Sequence, residues 1–210
     1  SATTLTATEH AVQGVVTDMA WKAITDPNAQ AAYAADVARN HVRAIMTKFD
    51  VDVLTLLQSL TDGGGTTTSN LTNAEVLAVV DKCEQANMPK PWAGFLHPQQ
   101  YYDLISEASS PFASASVAGS KAEEHYGKYT IGTIYDVQWF ISTNVPTATA
   151  GADRGGGILS SHALGAVIAQ MPVTSTEHDQ SLRGDEVLTV MQYAVGEIDG
   201  TMGMYITSDA

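Results

Sequence analysis

A single cysteine, Cys83, stands among 210 residues, so an intrachain disulfide and a multi-cysteine metal site are both excluded. Basic residues are scarce as well. Ten Lys and Arg face 23 Asp and Glu, and the net formal charge of -13 repels a nucleic-acid backbone instead of neutralising it. Sequence-specific nucleic-acid binding is therefore not expected. No apolar run approaches the ~20 residues that a bilayer-spanning helix needs, and the first residues offer neither a basic start nor an apolar signal segment. A cytoplasmic origin with no membrane partner is the expectation, and a start at Ser1 instead of Met points to processing or to further residues upstream. The rest, 44% hydrophobic and 16% charged, suffices for one sizeable core or two small subdomains.

The first 20 residues, rich in Thr and Ala with Val12, Val15 and Val16, favour an extended segment with almost no core of its own. Asp26-Pro27 reads as a helix cap with proline in the first turn, and no Gly or Pro follows until after Leu60. Ala34, Val37, Ala38, Val42, Ile45, Phe49, Val53, Leu56, Leu57 and Leu60 keep close to a 3.6-residue period. One helix of that length would reach roughly 50 Å, so it either breaks near Asp50 or lies along something extended. Thr61–Asn70, with Gly63, Gly64 and Gly65, reads as a loop. Thr72 and Glu75 make a capping box for a second helix ending near Pro89. Trp92–Leu96 reads as a buried strand, His97-Pro98 as the opening of another helix, and Ser109–Ser120 as a loop. Tyr129–Ser142 alternates like a strand pair that bends at Gly132 or Asp136. After a glycine-rich loop at 151–157, the small apolar stretch Ile158–Ala169 suggests a short helix. Val187–Val195 and Met202–Ile206 read as two strands joined through Gly196 and Gly200. The class is α+β.

Chemistry is hard to find along the chain. The six histidines never fall at the i, i+2 or i, i+4 spacing that puts two metal ligands on one face. His97 reads as a local cap. Ser160, Ser161 and His162 lack a nucleophile elbow. Asp50 and Asp52 lack the further ligands of a calcium loop and read as solvated charges at a kink. Cys83 reads as a small buried helix residue, and the aromatics Trp92, Tyr101, Tyr102, Tyr129, Tyr135, Trp139 and Phe140 read as core. No catalytic residue, metal or cofactor is expected.

The order of elements carries more than any motif. Glu9-His10-Ala11-Val12 through Asp18 looks like the return strand of an extended loop, Asp36–Leu57 like a spine helix, and Leu71–Leu104, with Trp92-Ala93-Gly94-Phe95-Leu96-His97-Pro98, like an axial helix, strand and helix. Gly127–Pro146 follows a spaced glycine pattern with Asp136 where a glycine is common, and Arg183–Ile206 looks like closing strands. In these stretches the chain resembles the major capsid proteins of tailed bacteriophages, of the HK97-like fold.

The resemblance implies an extended arm at 1–20, a spine helix of the peripheral domain at 21–62, an axial domain at 71–170 and closing strands of the peripheral domain at 171–210. It implies a non-enzymatic subunit that assembles into pentameric and hexameric capsomers of an icosahedral virion shell. That shell would be assembled in the host cytoplasm and would enclose double-stranded DNA by non-specific containment. Portal, scaffolding or decoration proteins are the further partners it implies. Glu9, His10, Val12, Val15 and Asp18 become candidate intersubunit contacts, with 1–20 lying across a neighbour and the glycine-rich stretches facing capsomer axes or the surface. Family members are generally longer, with an arm and an outgoing strand before the position of Ser1. The crosslink known in the family needs a Lys and an Asn from different subunits; Lys22, Lys48 and Asn144 exist, and nothing in the sequence places them together. The rival readings are an encapsulin-like compartment shell and a cytoplasmic α+β enzyme with a site around His97, His162 and Asp136.

Overall fold

A computed structural model describes residues 4–107, 130–148 and 153–209. The loop expected at 109–120 and the outer positions Tyr129 and Gly151 lie outside them. The chain forms two compact units, one from residues 1–50 with 166–195 and the other from 51–165 with 196–210.

In the first unit, β1 (Thr8–Thr17), β9 (Gly184–Glu197) and β8 (Leu164–Asp179) form a sheet of order β1-β9-β8. The antiparallel ladder of β1 on β9 runs from Thr8 opposite Tyr193 to Thr17 opposite Gly184. Alternation in β1 turns His10, Val12, Gly14 and Val16 inward and leaves Glu9, Ala11, Gln13 and Val15 exposed. The inward face meets α2 (Pro27–Thr55), where Ile45 packs with Met191, Tyr193, Val12 and Phe49. Gly14 gives the His41 ring room here, because a Cβ would come within 2.8 Å of its Nε2 and push the ring aside.

Residues 18–23 form a separate short helix, α1 (Asp18–Ala23), capped by Thr17, so the long helix starts at Pro27 and not at 21. Asp26 accepts from the Asn28 amide at 2.9 Å at this start. The helix assignment runs unbroken through Asp50 and Asp52, as no Gly or Pro interrupts the ladder, and tightens into a 3-10 turn at Leu56–Ser59. Its 29 residues span about 44 Å.

The second unit is built on a sheet of order β2-β10-β7-β3-β5-β4. These strands are β2 (Thr61–Gly65), β3 (Trp92–Leu96), β4 (Thr130–Ile134), β5 (Val137–Ile141), β7 (Asp153–Ser160) and β10 (Gly203–Asp209), with the two-residue β6 (Thr147–Ala148) beside β7. Helices α3 (Asn73–Gln85) and α4 (Pro98–Ser106) supply Val76, Val79, Cys83 and Leu104 to a core with Trp92, Leu96, Val137, Trp139, Ile158 and Ile206. The Thr72–Glu75 capping box forms as its spacing predicts. Tyr135 and Asp136, at φ 55 and 64, make the two-residue bend between β4 and β5, so the turn falls at Asp136 and not at Gly132.

Four sequence expectations need correction. Thr61–Gly65 is not loop but β2, paired in parallel with β10. Gly65, at φ 89, is needed because a Cβ would collide with the Thr207 carbonyl. The stretch at 153–157 is likewise no surface loop but part of β7, between β3 and β10. Its glycines admit the Gln100 side chain, the Tyr205 hydroxyl and Leu57. Ile158–Ala169 holds no helix, being the end of β7, a turn and the start of β8. The two final strands form but do not pair. A turn at Gly200–Met202, whose start Asp199 caps by accepting from Thr201, sends β10 into the second unit's sheet while β9 stays in the first, so 171–210 is not one block of closing strands.

Gly94 of β3 lies under the Trp139 ring, with no room for a Cβ. Gly94→Ala is expected to cost about 1–3 kcal/mol of stability by overpacking, read as a lowered denaturant midpoint at unchanged m-value.

Candidate functional site

The five candidate contact residues of the N-terminal segment divide between roles. His10 is half-buried and stacked on Tyr193 with ring centroids 4.2 Å apart, and Val12 joins the Ile45 cluster, so both are engaged within the chain. Glu9 and Val15 sit on the outward face of β1, Glu9 accepting from Gln192 at 3.3 Å and Val15 being 43% exposed. Asp18 opens α1, and its amide donates to the Arg183 carbonyl at 2.8 Å. Among the described residues β1 and β8 are the two edges of their sheet, and β8 exposes Val167, Ile168, Met171 and Val173. Unpaired strand edges and clustered exposed apolar side chains are the surfaces by which one chain recognises another.

Sequence reasoning missed a second feature. Asp18, Met19 and Lys22 from α1, His178 from the end of β8, and Leu182 and Arg183 from the β8–β9 connection line a cavity of about 610 Å³. His178 Nδ1 and Asp185 Oδ1 stand 2.8 Å apart across the hairpin. The hydrogen bond to Asp185, above all, raises the His178 pKa, with smaller contributions from the charges of Asp18, Asp185 and Asp179. The polar, largely exposed β8 has no clean two-residue period, so neither the strand nor its cross-strand partner was readable.

Two of the three residues of the enzyme alternative, His97 and Asp136, are engaged in local contacts. His97 is the N-cap of α4: its Nδ1 accepts from the Gln99 amide at 3.2 Å, and its own amide donates to Gln100 Oε1 at 3.2 Å. Asp136, on the β4–β5 turn, pairs with Lys90 at 2.8 Å, and the same ammonium meets Glu84 at 3.1 Å. His162 is exposed in the turn after β7, whereas Ser160 is buried within that strand. Cys83 is fully buried, and burial pushes its thiol up to about 12, so no thiolate nucleophile is on offer. Among the described residues no group of three or more His, Cys, Asp or Glu gathers to hold a metal.

No protein-family model and no curated protein matches the chain. Solved structures do match. A chain from Mycobacterium phage Che8 superposes with a TM-score of 0.73 at 17% identity, covering 95% of this chain and 70% of that one. A chain from the capsid of cyanophage P-SCSP1u gives 0.69 at 13% identity, over 95% of this chain and 72% of its own. The chain has the HK97-like capsid fold. An encapsulin, the holo-SrpI complex from Synechococcus elongatus, carries the same fold with a TM-score of 0.59 at 11% identity, over 96% of this chain and 73% of its own. In this capsid fold the His-Pro junction after β3 is a helix start, and its histidine serves the backbone.

That role has a pH signature. Burial first, and the charge of Arg154 second, hold the His97 pKa below its ordinary value. The folded chain therefore prefers the neutral ring, which accepts from Gln99, while the unfolded chain takes up the proton near pH 6.5. Stability is expected to fall as pH drops from about 6.5 through the lower folded value. Thermal midpoints measured against pH should show this component, and His97→Asn, which keeps an acceptor at the cap, should remove it. His97→Ala should cost about 1 kcal/mol at neutral pH through loss of the cap.

Proposed function

We propose that this chain is a major capsid protein of a tailed-bacteriophage type. Copies assemble into pentamers and hexamers that close as an icosahedral shell around double-stranded DNA, formed in the host cytoplasm and carried in the virion. The observation that carries this reading is the match to phage capsid chains over 95% or more of the length. In this reading α2 is the spine helix and the first unit the peripheral domain. The second unit is the axial domain, and β1 is the return strand of an extended loop.

The physical chemistry favours the same role. Among the described residues, the three-stranded sheet packed on α2 leaves apolar surface at Val15, Met171 and Val173 and two open edges, a poor design for a monomer and an ordinary one for a lattice. The charge of -13 lets a shell wall contain a polyanion without adhering to it. The subunit does no chemistry, and its partners are copies of itself, with portal, scaffolding or decoration proteins at special positions. The encapsulin match favours a second reading, a compartment shell with a protein cargo; nucleic-acid content of purified particles separates the two.

Size-exclusion chromatography with negative-stain electron microscopy of the purified chain is expected to show closed shells or rings of five or six subunits. A monodisperse monomer or dimer overturns the reading. The double variant Glu9→Lys, Val15→Asp changes two outward side chains of β1 and is expected to keep its circular dichroism spectrum while the assembled fraction falls by about tenfold or more, the effect of ~1.4 kcal/mol at a contact.

A further inference from the structure

Sheet edges are where one chain adds a strand to another, and natural proteins blunt them with charge, with proline or with irregular pairing. Charge is missing from most of β8. From Leu164 to Thr176 it holds no Asp, Glu, Lys or Arg, and Val167, Ile168, Met171 and Val173 are exposed along it. Among the described residues it lies at the edge of its sheet, with β9 as its neighbour. A long, uncharged, extended segment rich in β-branched and apolar side chains is one that pairs readily with copies of itself. Pro172 stands near the middle of this strand, with Leu164–Met171 before it and Val173–Asp179 after it.

The register of the hairpin decides which way that proline faces. The Thr174 and Thr189 hydroxyls meet at 2.8 Å, and His178 Nδ1 lies 2.8 Å from Asp185, so these residues stand opposite one another on β8 and β9. Two residues along each strand from the threonine pair, Pro172 stands opposite Met191. In an antiparallel ladder, opposed residues exchange either two backbone bonds or none, and the two kinds alternate. Pro172 has no N–H to give, so its pair is of the non-bonded kind. The same holds for Thr174 and Thr189, whose side chains meet as closely as that pairing allows. Gln170, Pro172, Thr174 and Thr176 therefore turn their backbone groups to the open edge, while Met171, Val173 and Ser175 turn theirs toward β9.

We propose that Pro172 is a guard that closes the edge of β8 to strand addition by a second copy of this chain. Two β8 strands meeting antiparallel about their midpoints would bring both prolines to the centre of the new ladder. There the missing N–H removes a bond, and the ring occupies space that the incoming strand needs. The cost to the hairpin itself is small, because the N–H given up faces away from β9. The inference does not depend on the shell-building reading: an edge closed to backbone pairing still leaves the exposed side chains of Met171 and Val173 free to meet a neighbour.

Refolding of the full chain from urea, followed by thioflavin T fluorescence at matched protein concentration, tests the guard. Pro172→Thr restores the N–H in a residue that suits an edge strand, and is expected to raise the fluorescence several-fold over wild type. Pro172→Ala, with the same N–H and a smaller side chain, should act in the same direction. Met171→Lys added to Pro172→Thr should return the signal toward wild type, because an edge lysine is the other natural block and Met171 is 66% exposed. That lysine lowers the magnitude of the net negative charge, so general repulsion between copies does not account for a rescue. Fluorescence of both position-172 variants unchanged from wild type, or a rise that Met171→Lys fails to lower, overturns the proposal. Urea midpoints of the soluble fractions, read by circular dichroism, report folding independently. Microscopy of the same fractions reads the shell hypothesis, so the two can fail separately.

Discussion

The ladder between β1 and β9 is the constraint on which the first unit depends. It joins residues far apart in the chain: Gln13 donates to Glu186 at 2.7 Å across 173 positions. Forming it closes a loop that includes most of the chain, and such non-local pairing costs loop-closure entropy and is slow. Once closed, it sets every inward position of β1 by the two-residue alternation. It aligns Val12 with the Ile45 and Met191 cluster and lays Gly14 under His41. A slip of one residue would send His10, Val12 and Val16 to solvent and bring Glu9 and Gln13 against α2.

The second unit obeys a different constraint, close approach. Its central strands β7 and β3 carry Gly94, Gly155, Gly156 and Gly157 because large neighbours take the volume that side chains would have filled. Trp139 lies over Gly94, and its indole donates to the Ile134 carbonyl at 3.2 Å. Gln100, fully buried, reaches past Gly156 to the Arg154 carbonyl at 3.2 Å while its oxygen accepts from the His97 amide. One glutamine thus ties the cap of α4 to β7.

These constraints explain which parts of the fold could be read from the amino-acid order. Helices α2, α3 and α4 were legible because their signals are local: Asp26-Pro27, the Thr72–Glu75 box and His97-Pro98 each mark a start within four residues, whereas α1 begins inside the stretch whose residues favour an extended segment. Trp92–Leu96 and the hairpin across Asp136 were legible from apolar content and alternation. β2 and β7 were not, because glycine selected for packing is indistinguishable in sequence from glycine selected for turning. β8 was missed for the opposite reason: most of its side chains are exposed, so no buried face imposes a period. The element order, which no single residue carries, led to the fold that phage capsid chains share at identities of 17% and below. The candidate contacts were half legible. The N-terminal segment was found, but the inward turn of His10 and Val12 needed the register, and the His178–Asp185 pair needed a strand that was not seen.

The burial of Cys83 has a practical corollary. At neutral pH a thiol held at about 12 is ionised in roughly one copy in 10⁵ and is enclosed by the α3 core as well, so maleimides and disulfide exchange should pass the native protein by. A cysteine introduced anywhere on the outside would then be the sole reactive thiol per subunit, making this chain a ready scaffold for site-selective labelling at a single, chosen position repeated over every copy.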